Sequence, residues 1–193
     1  MASLVDPVRR ERTDRCPGPY RPWLAADGLL VRLRLIGGRI PTAALVRLSE
    51  AAARFGDGHL HLTSRANLQV RGLPGRAGRL EDAVLAALED TGLIPSRTHE
   101  LIRNVMVSPQ TGLAGGRTDL RLIADDLDQR LCAQPELADL PGKFLFALDD
   151  GRGDLLGQTC DLGLVALDDT TAQLRVGDAW GEVVPLAVAT TEL

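Results

Sequence analysis

Residues 28–35 read GLLVRLRL, and within that octet Val31, Leu33 and Leu35 alternate with Leu30, Arg32 and Arg34. Period-2 alternation marks a half-buried β-strand, with one face in a core and the other carrying the two arginines. Downstream, Gly37 and Gly38 make a turn, and Pro41 opens a helix whose apolar positions Leu45, Leu48, Ala52 and Phe55 recur at helical spacing until Gly56 closes it. A strand over residues 60–63 follows, then a break at Ser64 and Arg65, then a strand over residues 68–71 that stops at Gly72. Leu80, Ala83, Val84, Ala87 and Leu88 line a second amphipathic helix, closed by Gly92. Strand, helix, strand, strand, helix is a small α+β unit. Upstream, charged residues followed by Pro17, Pro19 and Pro22 make residues 1–26 an extended arm that wraps over a folded body.

Beyond Pro95 the pattern changes. A short strand over residues 102–107 ends at Ser108 and Pro109, a loop carries Gly112, Gly115 and Gly116, and a helix from about Asp119 presents Leu120, Ile123, Leu127 and Leu131 on one stripe. Residues 143–148 read as an apolar strand, residues 151–157 as a turn, and residues 162–167, 172–176 and 182–188 as three further strands. The expected organisation is an arm (1–26), a first α+β unit (27–93) and a second (94–193), with no internal repeat.

The 193 residues, 45% hydrophobic and 25% charged, describe a soluble globular protein. No apolar run reaches the roughly 18 residues of a membrane span, and residues 1–15 lack the apolar core of a secretion signal, so a cytoplasmic protein is expected. Cys16, Cys132 and Cys160 are scattered and odd in number, which suits a reducing compartment rather than a disulfide framework. His59 and His61 alternate with Leu60 and Leu62 as a polar strand face, and His99 stands apart, so no metal site is expected. Residues 1–79 hold 14 arginines against 6 acidic residues, while the remainder holds 8 basic against 20 acidic. The first portion is therefore an anion-binding surface. Its aromatic residues are only Tyr20, Trp23 and Phe55, too few to stack bases, which excludes nucleic acid and favours a small polyanion or an acidic protein face. Lys143 is the one lysine in the chain, a compact donor where a guanidinium fork would not fit.

Three short motifs place a cation at the edge of an element: LTSRANLQ (62–69) with Arg65, IRNVMVSP (102–109) with Arg103, and LPGKFLF (140–146) with Lys143. A single arginine at a strand end is ordinarily a solvated charge or an ion-pair partner. In this order and spacing the three motifs resemble the nitrite/sulfite reductase superfamily, over roughly residues 24–190. The wording RCPGPYRPWLAADGLLVRLRLIGG (15–38) and KFLFALDDGRGDL (143–155) resembles, within that superfamily, the first half of the precorrin-3B synthases.

That resemblance implies a ferredoxin-like half-domain followed by a nitrite/sulfite reductase-type α/β sandwich domain. It implies an oxidoreductase of monooxygenase type, hydroxylating precorrin-3A with oxygen in aerobic cobalamin biosynthesis, and a polycarboxylate tetrapyrrole ligand, precorrin or siroheme. By resemblance Arg65, Arg103 and Lys143 are the catalytic cations around the distal face of the tetrapyrrole. Arg32, Arg34, Arg71 and Arg117 become further carboxylate partners, and Asn67, Asn104 and Ser108 neutral donors, with Gly115 and Gly116 letting backbone N–H groups approach an anion. The chemistry agrees, because a buried carboxylate stays ionised only when paired or hydrogen-bonded.

The sequence also departs from the family. Full-length members carry a second repeat whose paired cysteines ligate a 4Fe-4S cluster, and Cys16, Cys132 and Cys160 do not match those pairs. Leu145 stands where classical sulfite reductases have another lysine, which counts against six-electron sulfite reduction. The chain thus reads as half of a site, completed by a second-half subunit or a second copy. The alternatives are a non-catalytic tetrapyrrole-binding remnant or assembly protein, and a fragment of a siroheme-dependent reductase.

Overall fold

The computed structural model describes residues 16–193, so residues 1–15 of the expected arm lie outside the described residues. Two sheets form. In the first, β1 (Trp23–Ala25) and β2 (Gly28–Leu33) make a hairpin, α1 (Thr42–Phe55) crosses, and β3 (His61–Leu62) and β4 (Leu68–Leu73) return. A small hairpin, β5 (Gly75–Arg76) with β6 (Arg79–Leu80), leads into α2 (Asp82–Glu89). The strand order is β1-β2-β4-β3, antiparallel throughout. The alternation in residues 28–35 is borne out: Val31, Leu33 and Leu35 enter one core with Leu48, Leu68, Val70, Val84 and Leu88, while Arg32 lies opposite Gln69 across β2 and β4. Burying each of those aliphatic side chains contributes about 1.5–3 kcal/mol.

Two details of this unit differ from the expectation. The arm contains β1, because Trp23 and Leu24 pair in register with Leu30 and Leu29 immediately after Pro22. On α1 the buried positions are Ala44, Leu48, Ala51 and Ala52, whereas Leu45 is exposed; the helix turns its small alanines to the sheet, which lets the two layers approach closely.

The second sheet comprises β7 (Val105–Val107), β8 (Phe146–Asp149), β9 (Leu162–Ala166), β10 (Thr171–Val176) and β11 (Ala179–Pro185), in the order β11-β10-β9-β8-β7. β7, β8 and β9 run parallel, joined by α3 (Arg121–Ala133) and a long turn, and β9, β10 and β11 form an antiparallel meander. α3 and the short C-terminal α4 (Ala189–Glu192) cover one face through Leu120, Ala124, Leu127, Leu131 and Ala189 over Val107, Phe146, Leu148 and Leu164. Leu145, Ala147, Leu155 and Cys160 make a smaller cluster, with Met106 against it. Lys143, expected at the start of a strand, sits instead in a turn, because Phe144 N–H is tied back to Pro141 O at 2.7 Å and the strand begins only at Phe146. No helix among the described residues is long and apolar enough to cross a membrane.

The two sheets meet along a polar seam. Gly37, with φ 59°, lets the turn at Ile36–Gly38 lie flat on β7, where a Cβ would come within 2.9 Å of Val107 Cγ2. Alongside, Arg34 of the first unit donates to Glu100 Oε2 at 3.3 Å and to Pro17 O at 2.9 Å, with Arg34 3% and Glu100 5% exposed. The arm seals this pair: Gly18 lies so close to the Glu100 carboxylate that no side chain fits there. Tyr20 then anchors the arm on α2, its hydroxyl donating to Glu89 Oε1 at 2.6 Å beneath the Arg97 guanidinium.

Burial pushes the Glu100 carboxyl up to about 7 despite the cations Arg34, Arg21 and Arg103 around it. A carboxyl whose folded value lies above its unfolded one, near 4.5, binds protons more readily in the native state, so stability is lost as pH rises through that window. The melting temperature of the wild type is expected to fall between pH 5 and pH 8, and Glu100→Gln to flatten that slope; parallel pH profiles for the two proteins would contradict it.

Candidate functional site

The hairpin joining β3 to β4 carries Arg65 at its tip. Thr63 N–H donates to Asn67 O at 3.0 Å, Ala66 N–H to Thr63 O at 3.1 Å, and Asn67 N–H to the Thr63 hydroxyl at 3.1 Å. This closure holds Ala66 at φ 54°, a left-handed conformation that costs a non-glycine residue free energy and persists only where its surroundings enforce it. Arg65 is therefore displayed on a rigid loop. From there its Nη1 donates to the backbone carbonyl of Lys143 at 2.8 Å, across 78 residues of sequence, and brings two of the three motif residues to one edge of the seam.

Beneath them lie two buried amides. Asn67 Oδ1 accepts from Leu35 N–H at 2.9 Å, and its amide nitrogen approaches Asn104 Oδ1 at 3.5 Å. Asn104 in turn donates to Gly142 O at 2.8 Å and Leu101 O at 3.2 Å, which fixes the turn that presents Lys143. Arg65, Asn67, Asn104 and Lys143 are thus brought together. Asn67 and Asn104 are only 2% exposed and serve as the base of the site rather than as surface donors. Leu62, 82% exposed on the same hairpin as Arg65, adds an apolar surface to the site.

The remaining expected residues go elsewhere. Arg103 forks onto Asp128 of α3, Nε to Oδ1 at 2.6 Å and Nη2 to Oδ2 at 2.8 Å, with Nη1 on Leu93 O at 3.3 Å. Arg34 is engaged with Glu100 and Pro17 O in the seam. Arg71 forms a bidentate pair with Asp27 at 3.0 and 3.2 Å, which holds that aspartate below the usual carboxylate range. Arg32 lies beside the Gln69 amide, whose oxygen, in the orientation that satisfies both groups, accepts from it at 2.8 and 3.3 Å. Arg117 donates to Leu167 O at 2.8 Å and ties the glycine loop to the end of β9. Ser108 accepts from Asp150 N–H at 3.0 Å, and Gly116 rests against the Asp150 carboxylate rather than opening toward an anion.

Cys16 is a buried residue of the arm itself, Cys132 lies on α3, and Cys160 belongs to the small cluster behind β8. Burial raises the thiols of Cys132 and Cys160. Among the described residues no group of three histidine, cysteine or acidic side chains could hold a metal ion. His59 and His61 both bond Asp57, His61 Nε2 at 2.7 Å from Oδ2.

Residues 25–87 match the nitrite/sulfite reductase ferredoxin-like half domain. The chain is 31% identical over 180 residues to a precorrin-3B synthase from Sinorhizobium sp., an alignment that covers 90% of this chain and 36% of that protein. It is 30% identical over 157 residues to a ferredoxin–nitrite reductase from Synechococcus elongatus, with 77% of this chain and 30% of that protein covered. Among solved structures, the Mycobacterium tuberculosis NirA protein superposes with a TM-score of 0.69 at 21% identity, over 91% of this chain and 37% of that one, which is a likeness of fold. The chain spans about a third of the length of the curated relatives it matches.

Removing the Asn67 amide strands the buried Leu35 N–H, and removing the Asn104 amide takes away the donor that ties Leu101 O to Gly142 O, at about 1–3 kcal/mol each. Asn67→Ala and Asn104→Ala are each expected to lower the unfolding free energy obtained from urea titration by that amount, and the midpoint with it; midpoints equal to the wild type would show that water replaces them.

Proposed function

We propose, because the chain belongs through residues 25–87 to the nitrite/sulfite reductase superfamily, that it is the tetrapyrrole-gripping first half of an oxidoreductase of the precorrin-3B synthase kind. In this reading the ligand is a polycarboxylate tetrapyrrole, precorrin-3A as substrate, and the reaction is its oxygen-dependent ring hydroxylation in cobalamin biosynthesis. The observation that carries the reading is the hydrogen bond from Arg65 to Lys143 O, which joins two motif cations from opposite sides of the seam. Arg65 offers its outer N–H groups to a carboxylate as a planar fork, and Lys143, exposed in its turn, supplies a point charge beside it. Leu62 gives the macrocycle an apolar surface next to those charges. The rigidity of the hairpin matters here, since cations fixed before binding lose little freedom when the ligand arrives.

The chain's own residues do not fit an iron–sulfur cluster, because its three cysteines lie in three separate places. In this reading the electrons for turnover come from a centre outside the described residues. The same observation favours a second reading, a tetrapyrrole-binding or assembly protein without turnover. A siroheme-dependent reductase fragment shares the cation pair and differs in the ligand it carries.

Titration with siroheme and with uroporphyrin, an octacarboxylate porphyrin, followed by absorbance and fluorescence, tests the grip. Arg65→Ala and Lys143→Ala are each expected to weaken binding by about ten-fold or more, the worth of one charge-assisted hydrogen bond. Binding that ignores both substitutions would sink the reading. Turnover of precorrin-3A on addition of a cluster-bearing second half separates the enzyme from the assembly protein.

A further inference from the structure

Arg103, one of the three motif cations, is engaged in an ion pair with Asp128 of α3. Arg103 and Asn104 are neighbours in sequence that face different partners. Asn104 reaches Gly142 O and Asn67, beneath Lys143 and Arg65. Arg103 turns to α3 and places both ends of its fork on one carboxylate, at 2.6 and 2.8 Å, with Leu93 O taking a further donor. Its side chain is 7% exposed and that of Asp128 18%, so the pair is largely shielded from water. A guanidinium held in this way has already bound a carboxylate, in the planar bidentate geometry that it would use for a ligand.

The helix that carries Asp128 is also fixed. α3 packs on the turn at Ile36–Gly38 through the first unit's Arg39, which pairs with Asp125 and bonds Arg121 O. Cys132, one helical turn beyond Asp128, rests near the same guanidinium. The aspartate is therefore not a side chain that drifts away when a competitor appears. As an intramolecular acceptor it enjoys a high effective concentration, and a dissolved carboxylate competes with it poorly.

We propose that Asp128 is a specificity-determining residue that withholds Arg103 from the anionic ligand, leaving Arg65 and Lys143 as the cations through which this chain binds it. The inference rests on the tetrapyrrole reading given above and assigns a role to an acid on α3. Its consequence is that affinity for a polycarboxylate is held below what three motif cations would give, and that neutralising Asp128 raises it.

Uroporphyrin is the probe. Asp128→Asn is expected to tighten its binding about ten-fold over the wild type, and adding Arg103→Ala to Asp128→Asn is expected to abolish that gain. A gain that survives in the double variant would mean that Asp128 acts by long-range charge alone and would overturn the inference, as would an unchanged or weakened affinity in folded Asp128→Asn. The wild type decides the matter independently of how well the variants fold. The arginine Nε–H resonance of Arg103 should stay in place at saturating uroporphyrin while that of Arg65 moves; movement of the Arg103 signal would overturn the proposal. If Arg65 does not respond, or uroporphyrin does not bind, the tetrapyrrole reading fails and takes this inference with it; an Arg65 response with the wrong Arg103 result sinks the inference alone.

Discussion

A guanidinium and a carboxyl group almost cut off from water hold the two sheets in register. Arg34 extends from the end of β2 and Glu100 from the segment before β7, and loss of Glu100 would leave the buried guanidinium charge without its counter-charge. Breaking such a pair by removing one partner costs several kcal/mol, although forming it gains little because both groups gave up their hydration. The pair therefore specifies an arrangement more than it supplies stability. Everything that presents the candidate site follows from that arrangement. The turn at Ile36–Gly38 lies on β7, Asn67 bonds the backbone just before it, and Asn104 reaches across to the Lys143 turn.

This placement explains why the basic first portion of the chain does not behave as a uniform positive surface. Its arginines are distributed among distinct tasks. Arg34 and Arg71 neutralise acids within the fold, Arg32 lies across from a glutamine, and Arg65 reaches the seam's edge. The acidic second portion supplies several of the matching charges, Glu100 for Arg34, Asp125 for Arg39 and Asp90 for Arg47. The asymmetry of charge along the sequence is thus partly consumed inside the molecule, and the anion-binding capacity that remains is local.

The elements governed by period were legible in the sequence. β2 could be read residue by residue because alternation is a local property, and the helices because 3.6-residue spacing is one. Leu45 was assigned to the wrong side of α1 because a helix that buries alanines leaves a weaker apolar signal than one that buries leucines. β1 escaped notice as three residues after a proline, recognisable only by its pairing with β2. At the site, Arg65 and Lys143 were identified by motif, yet nothing local foretold that one would bond the carbonyl of the other. The partners of Arg34 and Arg103 lie 66 and 25 residues away, Glu100 and Asp128, and no spacing rule links them. Long-range charge pairing depends on the assembled fold, and a sequence pattern describes only what neighbours along the chain can do.

β11 pairs with β10 through a bulge, three of its residues spanning two of its neighbour's. β11 is the outer strand of its sheet, with Trp180 54% and Val183 56% exposed, and an apolar outer strand is a template on which further chains can stack. Between Gln173 and Arg175 of β10 the register with β11 slips, and the strand ends at Pro185, which has no N–H to give. A strand from another molecule would find the row of donors and acceptors interrupted, with the Glu182 charge in its middle. Addition of a strand to β11 is thus discouraged by the backbone itself, although Trp180 stands exposed there.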